Sequence, residues 1–209
     1  KNIVDAALAN NVKKIIYSST SGVYGKTAIE KSVSEDFVLD PRSSYSIAKR
    51  FNEIYLSAVF QESKMESLAL RYFNVYGKRQ DNRMVIPTFF EQALSNKPLT
   101  VYGSGNQTRD FTYVKDVVRA TILLCKKVKG CDIFNICGKN EYSIGELSKK
   151  IKLLTSSESI IDYINLPDGR YDFEVERRSG SSKKLFDAIN YRPTTSLDDG
   201  LSNIYKSYQ

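Results

Sequence analysis

Tyr45 and Lys49 stand four residues apart in the segment YSIAK, a spacing that on a helix sets a phenol and an ammonium on one face. A neighbouring cation stabilises phenolate, the form of tyrosine that can take a proton. The pair can therefore act as a general base. Spacing alone does not decide this, because a half-buried Tyr beside a surface Lys gives the same pattern. The chain contains no histidine, so proton transfer falls to Tyr, Lys, Asp or Glu, and Ser/His or Cys/His nucleophile systems are ruled out. Cys125, Cys131 and Cys137 form no C-x-x-C pair. They suggest reduced cytosolic thiols, and no metal site is expected.

Elements that position the pair can be read around it. A chain of 209 residues with 41% hydrophobic content is long enough to bury a core. No apolar run approaches the roughly 20 residues a bilayer span needs, so no membrane partner is expected. The net charge of +7 is dispersed among acids, as in KRFNE and KKVKGCD, which reads as solvated surface rather than a nucleic-acid face. Residues 1–10 read as a helix and 14–18 (KIIYS) as a buried strand, followed by the hydroxyl-rich turn Ser18 to Gly22. Such turns lie at the carboxyl edge of open α/β sheets, where ligands bind. A helix from Ser43 or Ser44 to Ser63 carries Tyr45 and Lys49, and residues 66–74 give a second strand. Beyond the polar loop GKRQDNR, helices are expected at 87–96, 116–126, 143–154 and 197–208, and strands at 99–102 and 132–137, with one more short strand in the tail. Ser143 and Glu146 have the spacing of a capping box. Strands alternating with helices predict an α/β fold with a mainly parallel sheet, the later segments forming a smaller lobe.

SSTSGVYG after a strand, YSIAK opening a helix, LRYFNVYG, VYGSGNQTRDFTYVKDV, FNICG and GRYDFEV follow one another in that order across nearly the whole chain. This series resembles the extended short-chain dehydrogenase/reductase family of NAD-dependent nucleotide-sugar epimerases and dehydratases. The resemblance implies the carboxy-terminal part of a Rossmann-type parallel sheet with a smaller α/β substrate-binding lobe. Residues 1–76 and 107–137 would form the partial NAD-binding domain, and 77–106 and 138–209 the nucleotide-sugar lobe. It also implies a strand, a glycine-rich turn and a helix within about 100 residues before Lys1, holding the dinucleotide pyrophosphate.

By the same resemblance Thr20, Tyr45 and Lys49 are the catalytic triad. Tyr45 would be the base, Thr20 would pass on the proton of a sugar hydroxyl, and Lys49 would hold the nicotinamide ribose of NAD. Ser18 and Tyr72 join Tyr45 and Lys49 as cofactor-binding positions. Asn74, Arg109 and Arg170 match residues that contact the substrate diphosphate, work suited to the planar guanidinium fork. Tyr102 and Asp172 match nucleotide contacts. As residues alone, Ser18 can equally cap a strand end, and Tyr72 can equally be core. Dehydratases of the family follow the triad hydroxyl with Asp and Glu, whereas here Ser21 and Gly22 follow Thr20. The expected reaction is therefore C4 epimerisation of a UDP-sugar through a 4-keto intermediate. A 4,6-dehydratase, a reductase and a non-catalytic nucleotide-sugar-binding fragment are the alternatives. Glu176, Gly180 and Ser182 stand where relatives often carry a small gate residue, Asp and Ser. The resemblance further implies a cytoplasmic homodimer paired through the Tyr45/Lys49 helix and the helix before it.

Overall fold

The structure, a computed structural model, describes residues 1–26, 32–166 and 175–209. Strand β1 (Lys14–Thr20) pairs in parallel with β2 (Glu66–Tyr72), which pairs in parallel with β6 (Cys131–Ile136). Successive side chains of β1 point to opposite faces. Ile15 and Tyr17 meet α1 (Asn2–Ala9) and α2 (Ser44–Ser63), whose Val4, Ala7, Leu56 and Val59 are buried there. Ile16 meets the other side, where Leu68, Leu70, Phe134 and Ile136 pack on Val117, Ala120 and Leu124 of α4 (Val114–Lys127) and on Leu185 and Ile189 of α6 (Lys183–Ile189). The result is a helix–sheet–helix sandwich whose β1 and β2 end beside Thr20 and Tyr72. Among the described residues no helix is long and apolar enough to cross a membrane.

The expected strand 66–74 is broken at Phe73. Its N–H still donates to Ile136 at 3.2 Å, but Val75 N–H turns back onto the Phe73 carbonyl at 2.8 Å. From there β3 (Asn74–Tyr76) runs in a second sheet beside β5 (Thr108–Tyr113). β7 (Glu141–Ser143) and the two-residue β9 (Arg177–Arg178) also pair with β5. Helices α3 (Val85–Leu94), α5 (Ile144–Leu154) and α7 (Leu197–Tyr205) bury Phe89, Phe90, Leu147, Ile151 and Leu201 in this lobe's core. The strands β4 (Leu99–Tyr102) and β8 (Ile161–Ile164) form a parallel pair beside it. The capping box at α5 is formed, with Ser143 accepting from Glu146 N–H and the Glu146 side chain accepting from Ser143 N–H.

β5, β7, β9 and α6 were not anticipated from the sequence. In β5 the reason is chemical, since Asp110 and Thr112 are buried where an apolar alternation would be expected. Asp110 is only 2% exposed. Its carboxylate accepts from Gly138 N–H at 2.6 Å and from the Thr112 hydroxyl at 3.1 Å, and also from the Gly180 backbone. Strand β5 is thereby fastened to the end of β6 and to the segment after β9. At Gly180 an added Cβ would lie 2.5 Å from the Phe73 ring, so a larger residue there would have to displace that ring.

Burial pushes the Asp110 carboxyl up to about 7, against a partial offset from the Gly138 N–H. The unfolded group titrates at 3.8, so between these values the folded chain holds a proton that the unfolded chain has released. Stability therefore falls as pH rises from about 4 to about 7 and levels off above that. Asp110→Asn should remove a slope of up to about 1.4 kcal/mol per pH unit across this window, read from urea midpoints over a pH series. An unchanged slope in the variant would show that Asp110 does not hold that proton.

Candidate active site

β1 delivers Thr20 in an extended conformation to the head of a 3-10 turn, Ser21–Tyr24, where its hydroxyl oxygen accepts from Gly22 N–H at 3.1 Å. The turn closes on Gly25 at φ 62°, and a Cβ there would stand 2.0 Å from the Asp40 carbonyl. Only glycine suits such a bend. Across from it Ser43 caps α2 by accepting from Ser46 N–H at 3.1 Å, so Tyr45 falls in the first helical turn and Lys49 one turn on. Tyr45 is 58% exposed. The Lys49 ammonium lies 5.6 Å from the centroid of the Tyr45 ring and 5.0 Å from that of Tyr17. It donates to the Ser18 carbonyl at 2.6 Å. Thr20 and Tyr45 line one cavity of about 210 Å³, together with Ser43, Ser46, Lys26, Arg42 and Arg178. Ser18 meets Lys49 through its backbone carbonyl, while the residue itself is exposed.

Beneath the cavity lies a buried charge network. Glu53 of α2 accepts two hydrogen bonds from Arg71 of β2, at 3.0 and 2.9 Å, one from Ser19 of β1 at 2.5 Å and one from Arg50 at 3.0 Å. Arg71 continues to the Tyr24 hydroxyl at 2.9 Å and the Glu35 carbonyl at 3.1 Å, and Tyr24 donates to Asn135 of β6 at 2.7 Å. Burial works to raise the Glu53 pKa, but the donors from Arg71, Ser19 and Arg50 outweigh it and hold the carboxyl below its usual range. Burial pushes the Tyr24 phenol up to about 12. The run KRFNE, expected to be solvated, therefore hides a buried acid at Glu53.

A second cavity of about 290 Å³ gathers Asn74, Tyr102 and Arg109, with Arg83 and Gln107 beside them. Among the described residues Asn74 Oδ1 is buried there without a hydrogen-bond partner. Such an acceptor costs free energy unless a ligand or water satisfies it. Arg109 donates to the Thr108 carbonyl at 2.9 Å. Tyr72 lines neither cavity. It packs under α4 with its hydroxyl 3.3 Å from that of Thr121. Arg170 and Asp172 lie outside the described residues. Sequence reasoning missed Lys26, Arg42 and Arg178, because their approach to Thr20 depends on a turn and on β9, neither of which leaves a periodic signal.

A family model described as "NAD dependent epimerase/dehydratase family" matches residues 1–137. A UDP-N-acetyl-alpha-D-glucosaminuronate decarboxylase of Bacillus cytotoxicus is 38% identical over 213 aligned residues, covering 96% of this chain and 65% of the relative. A human dTDP-D-glucose 4,6-dehydratase is 32% identical, over 99% of this chain and 59% of its own. The crystal structure of UDP-glucose 4-epimerase from Thermotoga maritima, solved with UDP-glucose, superposes with a TM-score of 0.91 at 31% identity, covering 98% of this chain and 66% of that one. The chain thus spans about two thirds or less of the length of these relatives.

The network beneath the cavity makes a stability prediction. Arg71→Met strips Glu53 of two donors and leaves a buried carboxylate short of charge, a change that should cost about 3–5 kcal/mol in chemical denaturation. A loss below about 1 kcal/mol, the value of an exposed pair, would show the network to be slack.

Proposed function

The chain belongs to the NAD-dependent epimerase/dehydratase family, and from that premise we propose that the protein inverts C4 of a nucleotide-linked sugar, with UDP as the nucleotide. The observation that carries this reading is the convergence of Thr20 and Tyr45 on one cavity with the Lys49 ammonium beside the Tyr45 ring. Bound NAD supplies a hydride acceptor that can return the hydride to the opposite face. Thr20, its oxygen already holding the Gly22 N–H, hydrogen-bonds the sugar 4-hydroxyl. Tyr45 takes that hydroxyl's proton as C4 is oxidised and gives it back after the 4-keto sugar has turned over. Lys49 has three donors, one of them on the Ser18 carbonyl. That donor set fits a ribose diol at the nicotinamide end of the cofactor, with Ser18 as the anchor.

Elimination of water or loss of a carboxyl group calls for an acid at the reacting carbons, and relatives named for those reactions are among the similar proteins. Ser21 and Gly22 hold the positions after Thr20, and no Asp or Glu among the described residues lines the cavity. This favours epimerisation. The second cavity suits the nucleotide diphosphate, whose oxygens Arg109 and the Asn74 side-chain N–H can hold, while the sugar or base hydroxyl and N–H donors of such a ligand can reach the buried Asn74 Oδ1.

We also assign a homodimer. Ile47, Phe51 and Ile54 are each more than half exposed and recur along one side of α2 at intervals of four and three residues. A second copy that covers this stripe would bury the helix carrying Tyr45 from behind. The unpaired thiols of Cys125, Cys131 and Cys137 suit a reducing, cytoplasmic setting.

On the full-length protein with NAD, Tyr45→Phe should lower interconversion of UDP-hexoses by about 10²–10⁴-fold. Undiminished turnover would remove Tyr45 from the chemistry. Ile54→Glu should shift the sedimentation coefficient from dimer to monomer, and a wild-type protein that sediments as a monomer ends the dimer assignment.

A further inference from the structure

The side of β1 that faces α2 changes character as it nears the candidate site. Ile15, Tyr17 and Ser19 share that side, and each meets the helix differently. Ile15 packs against the small core that holds Leu56 and Val59. Ser19 donates to Glu53 at 2.5 Å. Between them the Tyr17 hydroxyl accepts from Asn52 Nδ2 at 3.1 Å, and the same Nδ2 donates to the Ala48 carbonyl at 3.0 Å. The ring is thereby tied to α2 at its tip. Its face is turned to the Lys49 ammonium, 5.0 Å from the centroid.

Lys49 has need of such a seat. Its four-carbon stem is flexible and its ammonium is strongly hydrated, so left to itself the head would turn to water. The Ser18 carbonyl takes one of its three donors at 2.6 Å, but a single hydrogen bond leaves the head free to swing about it. A cation is also drawn to the face of an aromatic ring. With the Tyr17 and Tyr45 rings 5.0 and 5.6 Å away, the ammonium is confined beside both rings and the carbonyl. Burial pushes the Tyr17 phenol above its ordinary value, against a partial offset from the Asn52 donor, so Tyr17 presents a neutral ring near neutral pH. Tyr17 lines neither cavity, and its influence on the chemistry therefore runs through Lys49.

We propose that Tyr17 is a positioning residue, its ring face holding the Lys49 ammonium beside Tyr45 and ready for the nicotinamide ribose. This rests on the epimerase reading above and adds to it a group on which Lys49 depends. The competing role is structural, since Tyr17 also packs against the core shared by α1 and α2. An apolar residue could fill that role, whereas only another aromatic ring could seat the cation.

The test compares Tyr17→Phe, which keeps the ring and loses the Asn52 bond, with Tyr17→Ile, which keeps an apolar strand residue and loses the ring. Each full-length holoprotein is followed for UDP-hexose turnover, for NAD affinity by exchange of labelled NAD, and for the Lys49 ε-methylene resonances, assigned through Lys49→Arg. Beside two rings those resonances should lie upfield in the wild type. Tyr17→Ile should lower kcat about tenfold at an unchanged KM for the sugar nucleotide, weaken NAD binding by a similar factor and return the resonances toward ordinary lysine positions. Tyr17→Phe should stay within about threefold of the wild type on every count. If Tyr17→Ile does not fold, Tyr17→Met takes its place with the same expectation. A ringless variant that is merely less stable to urea, with wild-type kcat, NAD affinity and Lys49 resonances, overturns the proposal. So does a Tyr17→Phe protein as impaired as Tyr17→Ile. A wild type that turns over no UDP-hexose ends the epimerase reading instead. The proposal is then decided by the resonances and NAD affinity, whose loss in Tyr17→Ile and retention in Tyr17→Phe support it and whose constancy in both overturns it.

Discussion

A single buried ion pair, Glu53 with Arg71, sets the frame in which the candidate site is built. Arg71 is 1% exposed, and its guanidinium faces α2, the 3-10 turn and the segment at Glu35 together. Taking both charges out of water is costly, and the pair need add nothing to net stability relative to an apolar substitute. What it provides is register. Glu53 lies one turn beyond Lys49 on α2, and Ser19 immediately precedes Thr20 on β1, so one carboxylate fixes the helix that carries the base against the strand that carries its hydroxyl partner. Tyr24 and Asn135 extend the same chain of hydrogen bonds to β6.

The parts of the fold that follow from periodic burial were legible in the sequence. Ser43 and Lys64 bound α2 as an N-cap and a left-handed C-cap, close to where the pattern of YSIAKRFNEIYL places its ends. The box at Ser143 and Glu146 formed as written. What escaped notice is structure whose partners are remote in sequence. β5 reads as polar because Asp110 and Thr112 turn inward to backbone N–H and hydroxyl groups instead of to apolar neighbours. β9 is two residues long and exists only because β5 offers an edge.

The candidate site shows the same division. Thr20, Tyr45 and Lys49 could be named because they sit in contiguous motifs, and the structure brings Thr20 and Tyr45 to one cavity with Lys49 alongside. Asn74, Tyr102 and Arg109 likewise share a cavity. Arg178 left no comparable trace, since nothing local distinguishes it from Arg177, whose own ion pair runs to Glu141 across the ladder. Glu53 was misread for a related reason. An acid preceded by Arg50 and Asn52 looks solvated until the strand bearing Arg71 is placed behind it.

The break at Phe73 has a mechanical meaning. The chain leaves the first sheet at Tyr72 and enters the second at Asn74, so at this crossing a single residue, with two soft backbone dihedrals, carries the connection. The Phe73 ring is buried against Tyr24, 6.3 Å between centroids, and closely approached by Gly180. Little torsional slack remains at this passage. The crossing between the two sheets is thus better described as a stiff gauge than as a hinge, one that fixes the spacing of the strand ends at Thr20 and Asn74.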